Sequence, residues 1–191
     1  MLSRPQADGV LLLCLDALTP APASDCDGVV RGPDPAWRAN AARLLTHARG
    51  QGWAAGHAIS RRPRPGEAPW RAAEGLAPIP AEPVYHREEA SAFASPELSA
   101  ALAGGGRPEV VLCGLSLNGS VLATAVDATR LGVRLTLALD ATLMSVAEQP
   151  GLEGLLRLQR LGHLPSLVRT AATETLLRPW RPLRVVVGGR G

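Results

Sequence analysis

The sequence predicts an α/β protein, a three-layer doubly wound sandwich around a mostly parallel sheet of about six strands. Three observations carry that expectation. Apolar runs such as "VLLLCL" (Val10–Leu15) and "EVVLC" (Glu109–Cys113) do not alternate with polar residues, which suits strands buried on both faces. Between such runs lie Ala- and Leu-rich stretches with helical spacing, so strands and helices take turns along the chain. Hydrophobic residues make up 46% of the chain but aromatic ones only 3%, so the core must be assembled from Leu, Val and Ala, which favours layers of helix on sheet. At 191 residues there is enough chain for one domain with a sizeable core, expected over 1–177, with 178–191 as a C-terminal extension.

Val10–Leu15, closed by Asp16, is the first strand. The following "LTPAPASDCDGVVRGPDP" is rich in Pro, Asp and Gly and reads as loop. Asp34 then offers an N-cap with Pro35 at the first helical position; Trp37, Ala41, Leu44, Leu45 and Ala48 share one face, and Gly50 or Gly52 closes the helix. Trp53–Ile59 is the next strand. Residues 60–83 hold most of the mid-chain prolines and read as a long surface excursion with at most one short helix. Val84 and Tyr85 begin a short strand, and Ser95 with Pro96 caps a helix running to about Ala103, where three glycines stop it. After the Glu109–Cys113 strand, Val121–Leu131 is a helix with Val121, Ala125 and Ala128 on one face. Val133–Leu139 is a strand ending at Asp140, Leu152–Leu161 a leucine-rich helix, and "PSLVRT" a last strand. Trp37 and Trp53 are expected in the core. The tail from Arg178 reads as an edge strand or a partner-binding arm.

The net charge is +3, and all twenty basic residues are arginine, spread from Arg4 to Arg190 without a dense block. With one Tyr and one Phe there is no interleaving of aromatic and basic residues, so nucleic acid is not an expected partner. The three cysteines are odd in number and lack metal spacing, which argues against a disulfide framework; Cys14 and Cys113 lie in apolar runs and read as buried thiols. The beginning "MLSRPQADG" carries no signal pattern and "VLLLCL" is too short to cross a bilayer, so the expectation is a cytoplasmic protein without a membrane partner.

In a doubly wound sheet, ligands bind beyond the carboxyl ends of the strands where strand order reverses. Asp16, the residues after Tyr85, the Gly114–Ser120 loop and Asp140 all fall at such ends. Asp16 there can face a pocket, cap a turn or pair with Arg87, and Arg87 can serve as a structural ion-pair partner or as an anion clamp. Ser120 sits at the seam between strand and helix, where unpaired N–H groups open a helix; it can be a nucleophile, an N-cap or a first-turn residue, with Asn118 competing for the cap. Asp140 reads as a structural turn residue. "GLSLNGS" shares two glycines with the phosphate-binding G-x-x-x-x-G-K-[ST] but lacks its lysine, so nucleotide binding is not expected.

Four stretches, in order, resemble the isochorismatase-like cysteine hydrolases, the family of nicotinamidases, N-carbamoylsarcosine amidases and isochorismatases, over roughly Gly9 to Thr170. "VLLLCLDAL" resembles the first-strand motif ending in the catalytic aspartate, matching Asp16. "PVYHREEASAF" resembles the segment that carries a lysine before Ser-Ala-Phe, matching Arg87. "VVLCGLSLNGSVLATAVDATRLG" resembles the strand–turn–helix that holds the nucleophilic cysteine, matching Ser120, and "VRLTLALDAT" resembles the strand that follows.

The sequence departs from that pattern where the chemistry sits: Leu18 stands for the usual Gln, Arg87 for the lysine and Ser120 for the cysteine. A serine hydroxyl starts far above a thiol in pKa, and a carboxylate is a poorly matched base for it. Arg87 keeps the charge but cannot give up a proton. True isochorismatases also lack the cysteine and work through the acidic group, so the resemblance implies either a divergent hydrolase of a small, anionic amide or enol ether, or a silent member that binds a metabolite or a protein. In the first case Asp16, Arg87 and Ser120 form the catalytic set, with Leu115, Ser116 and Gly119 around an oxyanion. The resemblance further implies a homo-oligomer and a small-molecule ligand. No cofactor is expected, and no metal, since 60–83 contains neither His nor Asp and His47 and His57 read as solvated or core residues.

Overall fold

A computed structural model of the chain describes residues 9–19, 35–60, 71–104, 108–115, 117–143 and 168–178. In chain order the elements are β1 (Val10–Leu15), β2 (Leu18–Thr19), α1 (Pro35–Gln51), β3 (Ala54–Ser60), β4 (Arg71–Ala72), β5 (Val84–Arg87), α2 (Pro96–Gly104), β6 (Glu109–Gly114), α3 (Leu122–Leu131), β7 (Leu135–Thr142), β8 (Val168–Ala171) and α4 (Thr173–Leu176). Six of the strands form one sheet in the order β5-β3-β1-β6-β7-β8, and every neighbouring pair is parallel. The short β2 and β4 pair antiparallel beside it.

The non-alternating apolar run of β1 makes this possible, because both of its faces are covered. Leu11, Leu13 and Leu15 pack with Leu98 and Leu102 of α2 and with Val121, Ala125 and Ala128 along α3. Val10, Leu12 and Cys14 point to the other face and pack with Trp37, Ala41, Leu44, Leu45 and Ala48, the predicted stripe of α1. The result is three layers, as expected. Helix α1 starts at Pro35 and Gly52, at φ 69°, closes it; the proposed cap Asp34 lies outside the described residues.

Three expectations need correction. Strand β7 does not end at Asp140: after an irregularity between Leu112 and Gly114, Gly114 pairs with Thr142, and Leu143 N–H donates to Gly114 O at 2.9 Å, which draws the strand onward. The stretch before β5 is not all surface, because Ala73 and Leu76 are buried with the α1 cluster. Trp53 is only half-buried, packed against the core with its ring edge-on to His47 at 5.3 Å. The Leu152–Leu161 helix, Cys26, residues 61–70 and the tail from 179 lie outside the described residues.

A buried ionic cluster ties that stretch to the sheet. Glu82 accepts from Arg49 Nε at 2.7 Å and Nη2 at 2.9 Å, from His57 Nε2 at 3.0 Å and from Ile79 N–H at 3.2 Å. Burial alone pushes the Glu82 carboxyl up, but these donors outweigh it and hold it at about 2. Because the folded value lies below the ordinary 4.5, the cluster stabilises the fold above that pH and the contribution is lost as pH falls toward 2. Glu82→Gln is expected to cost on the order of 2–3 kcal/mol at pH 7 and to flatten the acid limb of a urea-midpoint against pH curve. Gly114→Ala tests the sheet more harshly. At φ 123° an added Cβ would stand 1.9 Å from Leu15 O, so a loss of at least about 3 kcal/mol in chemical denaturation is expected.

Candidate active site

From β1 the chain steps outward to β3 and β5, then returns to the other flank of β1 as β6. Strand order therefore reverses between β1 and β6, and their carboxyl ends are where this class of sheet binds its ligands. Asp16 is the first residue past β1. Its backbone takes φ 44°, a left-handed value that Asp accommodates better than most side chains, and its N–H is held by Ala58 O at 2.9 Å. Arg87 is the last residue of β5, in register with Ser60 at the end of β3, so its long side chain reaches across β3 toward β1. Ser120 comes from the turn Leu117–Val121 that leads from β6 into α3, where the backbone leaves helical values at Gly119 (φ −93°, ψ −107°).

These three side chains meet, although 71 and 104 residues separate Asp16 from Arg87 and from Ser120. Arg87 Nη2 donates to Asp16 Oδ2 and, at 2.7 Å, to Ser120 Oγ; the Ser120 hydroxyl donates to the same Oδ2 at 3.2 Å. Asp16 Oδ1 accepts the Ser60 N–H at 2.9 Å, and Arg87 Nη1 donates to Glu89 O. Each of the three is only 4% exposed. Among the described residues, the buried Arg87 Nε has no hydrogen-bond partner.

The helper atoms divide. The Leu115 amide is spent on Leu15 O at 2.8 Å, so it is not available to an oxyanion, a correction to the expected set. Gly119 lies in the turn beside Ser120, and Ser116 lies outside the described residues. Ser120 does not cap α3 with its side chain, since its hydroxyl serves Asp16 and Arg87. Asp140 stands apart: within β7, its Oδ1 accepts Thr173 N–H and Oγ at 2.8 Å each and so caps α4. Sequence reasoning missed Ser60, Glu89 and Thr124. Thr124 Oγ1 donates to Ser120 O at 2.6 Å and accepts Ala92 N–H at 2.9 Å, stapling the segment after Arg87 to the start of α3. Its position four residues after Ser120 was the available signal.

Electrostatically the site is a compact ion pair with a hydroxyl inserted. Burial pushes the Asp16 carboxyl above its usual range, against the opposing pull of Arg87, the Ser60 amide and Ser120. A carboxyl poised in this way can hold or release a proton nearer neutrality than a free one. Among the described residues, no group of three or more His, Cys, Asp or Glu could hold a metal ion. A cavity of about 710 Å³ opens at the amino ends of β1 and β3, lined by Leu11, Trp53, Ala54, Tyr85 and Ala101 among others; none of the three site residues lines it.

The family model described as Isochorismatase domain matches residues 29–161. Three solved structures share the fold. An isochorismatase from Pseudomonas putida is 24% identical, with a TM-score of 0.71, over 90% of this chain and 92% of that one. N-carbamoylsarcosine amidase from Thermoplasma acidophilum is 17% identical, with a TM-score of 0.66, over 87% and 97%. An isochorismatase-like hydrolase from Alkaliphilus metalliredigens is 18% identical, with a TM-score of 0.70, over 91% and 99%. No curated protein matches the sequence.

If the guanidinium is what lets Asp16 remain buried, Arg87→Met, which keeps the stem and removes the charge, is expected to cost about 3–5 kcal/mol at pH 7. With the cation gone, the folded Asp16 carboxyl rises further, so the deficit should shrink as pH falls through the variant's folded value and then the native one, both raised above the unfolded value of about 3.9. Urea unfolding at pH 7 and pH 3.5 checks this; an equal deficit at both would assign the loss to packing instead.

Proposed function

The chain belongs to the isochorismatase family, and from that membership we propose that it is a hydrolase of a small, anionic amide or enol-ether metabolite in which Asp16, rather than a covalent nucleophile, carries the reaction. The observation that supports this reading is the convergence of Arg87 Nη2 and Ser120 Oγ on one oxygen of a carboxyl raised by burial. Asp16 in its protonated form gives its proton to the substrate, at the leaving nitrogen of an amide or the enol carbon of an enol ether; water adds at the carbon that becomes electron-poor and returns a proton to the Asp16 carboxylate, and the C–N bond, or the C–O bond of the hemiketal, then breaks to release amine or alcohol. Arg87 stabilises the carboxylate left behind and presents positive charge to an anionic substrate. Ser120 holds the Asp16 oxygen by hydrogen bond, and the reading assigns the Gly119 and Ser116 amides to an oxyanion. As the family resemblance implies, the reading includes a homo-oligomer working in the cytoplasm.

A second reading has its own observation. Asp16, Ser120 and Arg87 Nη2 satisfy one another, and Arg87 Nη1 is taken by Glu89 O, which suits a silent member whose ion pair only holds the fold. Turnover of an amide, carbamoyl and enol-ether panel separates the two. A hydrolase loses roughly 10²–10⁴-fold in kcat with Asp16→Asn while its circular dichroism is retained, and Ser120→Cys raises turnover of amides by adding a thiol nucleophile. No turnover by the native protein or by Ser120→Cys across the panel, with metabolite binding retained, would establish the silent reading.

A further inference from the structure

Cys14 and Cys113 occupy matched positions on the two strands that flank the switch point, paired Cα to Cα in the β1–β6 register. Both side chains lie on the α1 face, the Cys113 thiol donates to Cys14 Sγ at 3.7 Å, and both cysteines are free. We propose that this pair is a dithiol redox site, which a hydroperoxide closes to an intramolecular disulfide.

The backbone already has the necessary spacing. Neighbouring strands stand about 4.8 Å apart, inside the roughly 4.4–6.8 Å range of Cα separations that a disulfide bridges. The sulfurs are in contact and must approach by less than about 2 Å to bond. Some of that movement is available to Cys113, because the β6–β7 ladder is irregular between Leu112 and Gly114, the segment in which Cys113 lies.

The chemistry balances with one named oxidant. A thiolate sulfur attacks the peroxide O–O bond, which breaks to give a sulfenic acid and, after protonation, one water or alcohol. The second thiol attacks that sulfur, the S–S bond forms and water leaves with the remaining oxygen. Two electrons pass from the sulfurs to the peroxide, and two thiol protons end in the products. The hydrogen bond between the two thiols, and then burial, hold the Cys14 thiol well above its ordinary pKa, so thiolate is scarce and bulky thiol reagents find no access. The pair therefore responds to a water-sized oxidant during local opening of the sheet, rather than to large disulfides.

Closure would be felt at the site. Asp16 lies two residues beyond Cys14, and Gly114, one residue beyond Cys113, packs so tightly on Leu15 that a Cβ would meet its carbonyl oxygen at 1.9 Å. With no slack at that contact, drawing β1 and β6 together moves Asp16 relative to the turn that carries Ser120. The inference stands on the pairing of the two cysteines and does not rest on the hydrolase reading.

The test uses the full-length protein treated with hydrogen peroxide, quenched, unfolded and alkylated, followed by intact mass and peptide mapping. Two of the three cysteines should resist alkylation until a reductant is added, in one peptide linked Cys14 to Cys113 with Cys26 alkylated. Alkylation of all three, oxidation to sulfinic acid without a link, or a link through Cys26 overturns the proposal. Hydrogen exchange then reads the consequence: peptides spanning Asp16 and Ser120 should change protection on oxidation and recover with reductant, and this response should be absent in Cys113→Ala. Unchanged exchange in the linked protein overturns the coupling to the site. The mapping on the native chain decides the redox claim even if the variant folds poorly.

Discussion

A carboxylate is buried at the end of the central strand, and the arrangement around it follows from keeping it there. An ionised group taken out of water costs several kcal/mol unless it is paired and hydrogen-bonded. For Asp16 the pairing comes from Arg87 on β5, the Ser60 amide at the end of β3 and the Ser120 hydroxyl after β6. Those are three different elements, two on one side of β1 and one on the other. The ion pair is satisfied only when β5, β3 and β6 stand in their native order, so the interaction that defines the site also reports on the completeness of the sheet. Thr124 adds a second tie, joining the segment after Arg87 to the Ser120 backbone without touching either charge.

Buried carboxylates elsewhere in the molecule give the contrast that makes Asp16 informative. Glu82 is also buried beside an arginine, yet its pKa falls while that of Asp16 rises. Burial presses harder on Asp16 than on Glu82, and the donors differ as well. Arg49 reaches both Glu82 oxygens, and His57 and the Ile79 amide add two more hydrogen bonds. Asp16 shares its arginine with Ser120, and its second oxygen has one backbone donor. Glu109 shows a third arrangement, accepting from Thr136 and paired with Arg169 at the opposite end of the sheet. Glu82 receives four hydrogen bonds and its carboxyl falls, whereas Asp16 receives three and burial keeps its carboxyl raised.

What the sequence made legible was whatever depends on short-range pattern. The apolar runs of β1 and β6, the Trp37-to-Ala48 stripe of α1 and the Gly52 stop are local facts, and they appear where pattern places them. The meeting of Asp16, Arg87 and Ser120 was legible because a β–α order with one reversal leaves a single rim for strand ends. Features set by pairing between distant residues were not. Nothing around Asp140 says that β7 continues to Thr142; that depends on how Gly114 re-pairs after the irregularity beside Cys113. Nor does the proline-rich stretch reveal that Leu76 is buried, since its partners come from another part of the chain. The Leu115 amide read as a free donor only because its partner, Leu15 O, is a hundred residues away.

Position 120, where the family resemblance expects a thiol, carries a hydroxyl whose contacts decide what it can do. Ser120 receives a hydrogen bond from a guanidinium and gives one to a carboxyl, so both hydroxyl functions are already directed. To act as a nucleophile it would have to pass its proton to Asp16, a far weaker base than an alkoxide, while Arg87, which cannot deprotonate, stayed charged beside it. Even with Asp16 raised by burial, that transfer runs many orders of magnitude uphill, whereas a thiol in the same place starts within a few units of neutrality. The same contacts that make the hydroxyl a poor nucleophile make it a good fixture, since it holds the carboxyl oxygen against the arginine. On the hydrolase reading proposed above, a hydroxyl in place of a thiol shifts the chemistry from a bond-forming atom to a proton-carrying one, and that reading gives the proton to Asp16.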